Sequence, residues 1–184
     1  MSTFIPQHCG YQKLITYQRA EIIYDATIHF TRCFLSKKDR TVDQMVQAAR
    51  SGKQNIAEAS MASGTSKETE IKLTNVARAS QEELLIDYRD YMRNHGIIKW
   101  ERSHPYALRM SDLIRNQPAS YQTFQKGIEH QSPEICTNVI VSLIKVTQFL
   151  LARQIKFLEK DFVQNGGLRE RMTRARLEAR NRRY

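Results

Sequence analysis

The sequence predicts an all-α fold: an antiparallel four-helix bundle with an inserted helical cap between helices three and four and a basic C-terminal suffix. Three observations carry that expectation. Apolar residues recur at helical spacing through four long stretches, helix-starting and helix-stopping residues punctuate them, and no stretch alternates as a half-buried strand would. On this reading residues 1–167 form the bundle, with residues 97–131 as the insert, and residues 168–184 form an arginine-rich suffix.

The first helix is expected from about Tyr11 to Lys37. At about 100° per residue, Ala20, Ile23, Ala26, Thr27, Phe30, Cys33 and Phe34 share one face, which makes that face core. Tyr17, Tyr24, Ile28 and Leu35 lie roughly 100° further round, so the apolar arc is wider than a lone bundle helix needs. Two readings fit this second stripe: burial against neighbours in the same chain, or a subunit interface. After the charged turn from Ser36 to Arg40, Thr41 and Gln44 make a capping box with Asp43 at the positive helix end, so the second helix starts at about Val42. Val42, Met45, Val46, Ala49, Ile56 and Ala59 or Ser60 supply its core stripe, and Gly64 is its left-handed stop. Thr65 with Glu68 repeats the capping box, and so short a connection makes helices two and three a hairpin.

The third helix is expected from Ser66 to Asn94. Leu73, Val76, Ala77, Ser80, Leu84, Tyr88 and Tyr91 point inward, beside a more polar stripe in which Arg78 and Glu82 pair one turn apart. His95 and Gly96 close it. Residues 97–131 are too aromatic for a linker; Trp100, Pro105, Pro118 and short apolar clusters predict two short helices that cap one end of the bundle. Ser132 as N-cap and Pro133 at the first helical position open the last long helix. Its stripe of Cys136, Val139, Ile140, Leu143, Thr147, Leu150, Leu151, Gln154, Leu158 and Phe162 runs down to Gly166-Gly167. The suffix has only a weak stripe, Leu168, Met172, Ala175 and Ala179, and is expected to be helical when docked or bound and frayed otherwise.

The chain's 184 residues fit one domain or one domain with appendages. Its 29 Lys and Arg against 19 Asp and Glu give +10; seven Arg and two Glu put +5 in residues 168–184 and leave +5 for the rest. Such a balance points to a polyanionic partner. Cys9, Cys33 and Cys136 are odd in number, far apart and without a CxxC pair, which argues against a disulfide framework or a zinc site; Cys33 and Cys136 fall on apolar faces as small core residues. The start of the chain has no signal-peptide pattern, and the longest apolar segment, Val139 to Leu151, is broken by Ser142, Lys145 and Gln148. A cytoplasmic protein with no membrane span is therefore expected.

No enzyme, cofactor or metal is expected either. The histidines at 8, 29, 95, 104 and 130 lack metal-ligand spacing, and there is no phosphate-binding glycine loop or nucleophilic serine elbow. Glu82, Glu83, Asp87 and Asp90 resemble what a metal-dependent nuclease needs, but at helical spacing such a face is ordinarily just solvated. What remains is binding. The candidate nucleic-acid-binding residues are Arg50, Lys53, Lys67, Lys72 and Arg78 in helices two and three, and Arg169, Arg171, Arg174, Arg176, Arg180, Arg182 and Arg183 in the suffix, since their side chains make charge-assisted contacts with phosphate oxygens. No RNA-reading motif accompanies them, so backbone contacts rather than base readout are expected. Tyr17, Tyr24, Ile28 and Leu35 are the candidate oligomer interface. Arg50, Lys53, Gln54, Asn55 and Glu58 sit among small residues and fit an internal hydrogen-bond network as well as a ligand site. For the whole chain, the alternative is a structural or adaptor bundle whose partner is another protein.

At ARSGKQNIAEAS (Ala49 to Ser60) and GTSKETEIKLTNVARASQEELLIDYRDYMR (Gly64 to Arg93) the chain resembles the four-helix-bundle proteins encoded in intervening sequences of bacterial 23S ribosomal RNA genes. That family includes the accessory variability determinant of diversity-generating retroelements. The likeness is closest to the longer subgroup called four helix bundle suffix domain proteins, where it spans almost the whole chain, including the insert with Trp100 and the arginine suffix. Arg50, Lys53, Gln54 and Asn55 correspond to the family's polar motif, while Ala59 stands where the family often has Gly. The resemblance implies an antiparallel bundle and a homo-oligomer, a pentameric ring in the accessory determinant, where a basic surface binds RNA and a reverse transcriptase.

Overall fold

The computed structural model describes residues 10–181, and among them the secondary structure is all helical. The chain opens with a single 3-10 turn, Tyr11–Lys13, followed by α1 (Ile15–Phe34), α2 (Arg40–Ala62), α3 (Lys67–Asn94), α4 (Pro105–Asn116), α5 (Tyr121–Ile128), α6 (Pro133–Asn165) and α7 (Leu168–Asn181). α2 packs on α3, α3 on α6, and α1 on both α2 and α6; α5 lies against α6 and α1, and α4 touches α6 more lightly. α7 has no buried residue.

The predicted core is recovered where the stripes of four helices meet. Ile23, Ala26 and Phe30 of α1, Met45 and Ala49 of α2, Leu84 and Tyr88 of α3, and Ile140 and Leu143 of α6 are all fully closed from solvent, and Ile144, outside the expected stripe, joins them. Phe30 is central: its ring centroid lies 4.9 Å from those of both Tyr88 and Tyr91. Edge-on and tilted contacts of this kind add to the area these rings bury. Tyr88 resolves its one polar atom by donating its hydroxyl to Thr27 Oγ1 at 3.2 Å. Burial holds its pKa well above the usual tyrosine value, so it stays a neutral donor. A smaller cluster of Ala20, Ile56, Ala77 and Leu151 extends the core toward the other end.

Several local expectations need correction. The first helix is interrupted: Leu14 takes extended backbone between the 3-10 turn and α1, and the helix stops at Phe34 because Leu35 turns extended and packs back on the core. Cys33 is exposed, with Sγ 3.6 Å from His29 Nε2, so it is no core residue. Cys136 is one: it donates to Ile128 O at 2.9 Å, and burial first, then Cys33, pushes its thiol up to about 12. The N-cap of α2 is Asp39, whose carboxylate accepts the Thr41 N–H at 2.9 Å; a charged acceptor at the positive helix end displaces the Thr41 capping box by two residues. Likewise α3 is capped by Ser66 rather than Thr65, accepting from Thr69 N–H at 3.2 Å, while the Thr65 hydroxyl donates to Ala62 O.

Gly64 is not left-handed. The link between α2 and α3 stays right-handed because Ala62 O accepts from both Thr65 and Ser66 N–H, and positive φ occurs only at Gly10, Gly96 and Gly166 among the described residues. Gly96 and Gly166 stop α3 and α6 where a stop was expected. Val76, assigned to the core, is 44% exposed, and Arg78 bonds to Asn75 Oδ1 at 3.1 Å instead of pairing with Glu82. Glu82 takes Arg89 at 3.4 Å and Gln148 at 2.6 Å. The stretch from Pro133 to Asn181 includes an 18-residue window of mean hydropathy 1.8, of which 56% is buried against the rest of the chain.

Candidate nucleic-acid interface

The suffix begins at a tight junction. Gly166, at φ 69°, ends α6, and Glu170 folds back to accept the Gly167 N–H at 2.9 Å, which caps the first turn of α7. Seven of the fourteen residues from Leu168 to Asn181 are ionic, five of them arginine. Arg169, Arg174, Arg176 and Arg180 are exposed, and Arg171 is half-buried with its Nε unpartnered. None of the five forms an ion pair among the described residues. Arg182 and Arg183 lie outside the described residues.

The body cations are placed differently. Lys53 lies over the ring of Tyr24, 4.4 Å from its centroid. Burial raises the carboxyl of nearby Asp25, and the Lys53 charge pulls it the other way. Lys67 bridges Glu70 at 3.0 Å and Asp161 at 3.3 Å, tying the start of α3 to the end of α6. Burial alone would lower the Lys67 ammonium, but these two carboxylates outweigh it and hold it above its usual range. Asp161 is depressed by Asn165 and Lys67, with Arg171 adding its charge, so Lys67 and the suffix converge on this one carboxylate. Arg50 and Lys72 are exposed, and Arg78 flanks a shallow depression that also holds Glu82 and Glu83. The motif around Gly52 is divided: Arg50, Gln54 and Glu58 are exposed, while Asn55 donates to Ser51 O at 2.8 Å and Ser51 and Ser80 share a hydrogen bond at 3.1 Å across α2 and α3. An added Cβ at Gly52 would collide with the buried amide of Gln81, so glycine here is a requirement of the α2–α3 approach.

Tyr17, Tyr24, Ile28 and Leu35 are half-buried. Tyr24 and Leu35 lie on the main core, and Tyr17 contacts the smaller cluster while its hydroxyl donates to Glu21 at 3.2 Å. Burial first, then Glu21, lifts the Tyr17 phenol to about 12. More open apolar surface lies outside this stripe: Phe149 is 60%, Phe157 68% and Val163 83% exposed on the outer side of α6. Sequence reasoning missed these three, although their signal was present, since they lie opposite the Leu151–Leu158 stripe on what should be a polar face. A second gathering of cations, Lys99, Arg102, Arg115 and Lys145, lines a cleft between α4 and α6. These residues come from three separate segments, so no spacing rule unites them. Among the described residues no group of three or more His, Cys, Asp or Glu is placed to hold a metal ion.

No protein-family model, curated protein or solved structure matches this chain.

Proposed function

We propose that the chain is a non-enzymatic antiparallel four-helix bundle that assembles as a homo-oligomer and binds RNA, or nucleic acid generally, through its basic suffix. In this reading α1, α2, α3 and α6 are the bundle, α4 and α5 the inserted cap, and α7 the suffix. Support for the bundle comes from the packing of α1 and α3 each against both α2 and α6, which closes a ring of four helices. The observation that carries the binding reading is α7: five arginines on a helix with no buried residue and no carboxylate partner in an ion pair among the described residues. Such side chains lose little on meeting phosphates, because no internal pair has to break first. The resemblance to the intervening-sequence family adds the oligomer, with the five-membered ring of the accessory determinant as its form and a reverse transcriptase as a further partner, and the cysteine pattern adds a cytoplasmic setting.

Anisotropy titrations of labelled RNA and DNA at two salt concentrations test this directly. Binding that weakens steeply with salt is expected, as counterions are released from the phosphate backbone. Absence of binding at low salt rejects the reading.

A second reading, a structural or adaptor bundle for a protein partner, is favoured by Phe149, Phe157 and Val163, exposed on one side of α6. Phe157→Glu separates the two: it leaves nucleic-acid affinity of each subunit intact in the first reading but removes the partner contact in the second, as read by sedimentation and by RNA titration on the same sample.

A further inference from the structure

We propose that the cleft between α4, α6 and the segment joining α3 to α4 binds a phosphate group, presented either by a nucleic-acid strand or by a small phosphomonoester. The site lies apart from the suffix and does not depend on it.

The cleft has a volume of about 720 Å³, within the range of small-molecule sites. Lys99 and Arg102 reach it from the joining segment, Arg115 from α4 and Lys145 from α6. None of the four is in an ion pair among the described residues. The acids on the same wall are Glu101 and Asp112, and Asp112 is already occupied by Asn116 Nδ2 at 2.6 Å. Four cations against two anions leave the cleft at +2, an excess of positive charge that a phosphate would neutralise.

Its walls are held in place. Asn138 of α6 clamps the joining segment by accepting the Trp100 N–H at 2.9 Å and donating to Ile98 O at 3.1 Å. Arg19 of α1, only 6% exposed, donates Nη2 to Ile114 O at 2.9 Å and so fixes the last turn of α4. The Trp100 indole N–H is buried and has no hydrogen-bond partner among the described residues. Preorganised walls reduce the ordering a ligand must impose.

The electrostatics of Lys145 agree with this geometry. Burial, then the Lys99 ammonium, then Arg89 of α3 push it down to about 8, while Glu82 acts the other way and is itself engaged by Arg89 and Gln148. A bound anion reverses the balance by supplying the missing opposite charge. Lys145 is charged below its depressed pKa and neutral above it, so affinity for an anion that does not itself titrate falls as pH rises through about 8. The charged groups acting on Lys145 are Lys99 of the joining segment and Arg89 and Glu82 of α3, and Glu101, Arg102, Asp112 and Arg115 line the same cleft.

Trp100 is the only tryptophan in the chain and lines the cleft, so its emission reports occupancy in the intact protein. Two probes are titrated at matched ionic strength: inorganic phosphate, and a ribodinucleotide with a single phosphodiester. A saturable change with the dinucleotide assigns the cleft to a strand, and one with phosphate alone assigns it to small phosphomonoesters. In either case Lys145→Met weakens binding by about tenfold or more, as expected for loss of a charge-assisted contact. Lys145→Arg restores the affinity and abolishes its fall through about pH 8. A chain with the suffix arginines changed to Gln retains the signal, which keeps this result separate from any failure of the suffix reading. No saturable change with either probe, or unaltered affinity in Lys145→Met, overturns the proposal.

Discussion

Lys67 at the start of α3 and Arg174 in the middle of α7 carry the same formal charge, yet one is bound between two carboxylates and the other faces solvent without a partner. The contrast extends to the regions around them. In the body, Lys53 lies on Tyr24, Arg78 on Asn75, and the helices that bear them bury a continuous apolar stripe. In the suffix, no residue of α7 is buried. Lys53 and Lys67 are engaged inside the tertiary structure, whereas the five arginines of α7 form no ion pair among the described residues. The amount of charge alone does not separate these roles, because partner geometry decides them.

The comparison breaks most visibly in stability. Leu143→Ala opens a cavity in a fully closed part of α6 and is expected to cost about 2–5 kcal/mol in thermal or denaturant melts. Leu177→Ala in α7, where the side chain is 51% exposed, is expected to change stability by no more than about 0.5 kcal/mol. Equal losses would mean that α7 is packed as firmly as α6.

Gly52→Ala probes the α2–α3 seam. Overpacking against Gln81, which is fully buried, costs about 1–3 kcal/mol, and the better helix propensity of alanine returns about 1, so a net loss is expected in chemical denaturation. A stabilised variant would show that Gln81 moves aside freely.

A smaller effect belongs to the Lys67 bridge. Lys67→Met should lower the melting temperature slightly, in line with the roughly 0.2–1 kcal/mol of a partly exposed pair. Its pH signature has two limbs. The Asp161 carboxyl is depressed, so its contribution is present above the ordinary carboxylate range and is lost as pH falls through its folded pKa. The Lys67 ammonium is raised, so its contribution is full below 10.5 and is lost as pH rises through its folded pKa. Lys67→Met removes the basic limb and weakens the acid one, where the Asn165 hydrogen bond to Asp161 remains; an unchanged pH profile contradicts the bridge.

The helices and the core were legible in the sequence because periodicity is a local signal that survives into the tertiary structure: Ile23, Phe30, Leu84, Ile140 and Leu143 are buried as expected. Caps were legible only to within two residues, since Asp39, two positions before the Thr41 box, takes the Thr41 amide and Ser66, one position after Thr65, takes the Thr69 amide. The candidate interface was legible only in part. Density of arginine marks the suffix, but nothing local announces that Lys67 is matched by Asp161, 94 positions away, or that Lys99 and Lys145 face one cleft. Cys33 and Val76 misled for the complementary reason: apolar character states what a residue tolerates, and the neighbouring helix determines whether it is covered.

Anisotropy of a labelled structured RNA, measured with the intact chain and with Arg169, Arg171, Arg174, Arg176 and Arg180 all changed to Gln, weighs suffix against body most directly. Removing these five guanidinium groups leaves their phosphates unneutralised, so the slope of log affinity against log salt should become shallower by about 3–4, and affinity at low salt should fall steeply. Equal affinity and equal slope in the two proteins would contradict the assignment of the anion-binding surface to α7.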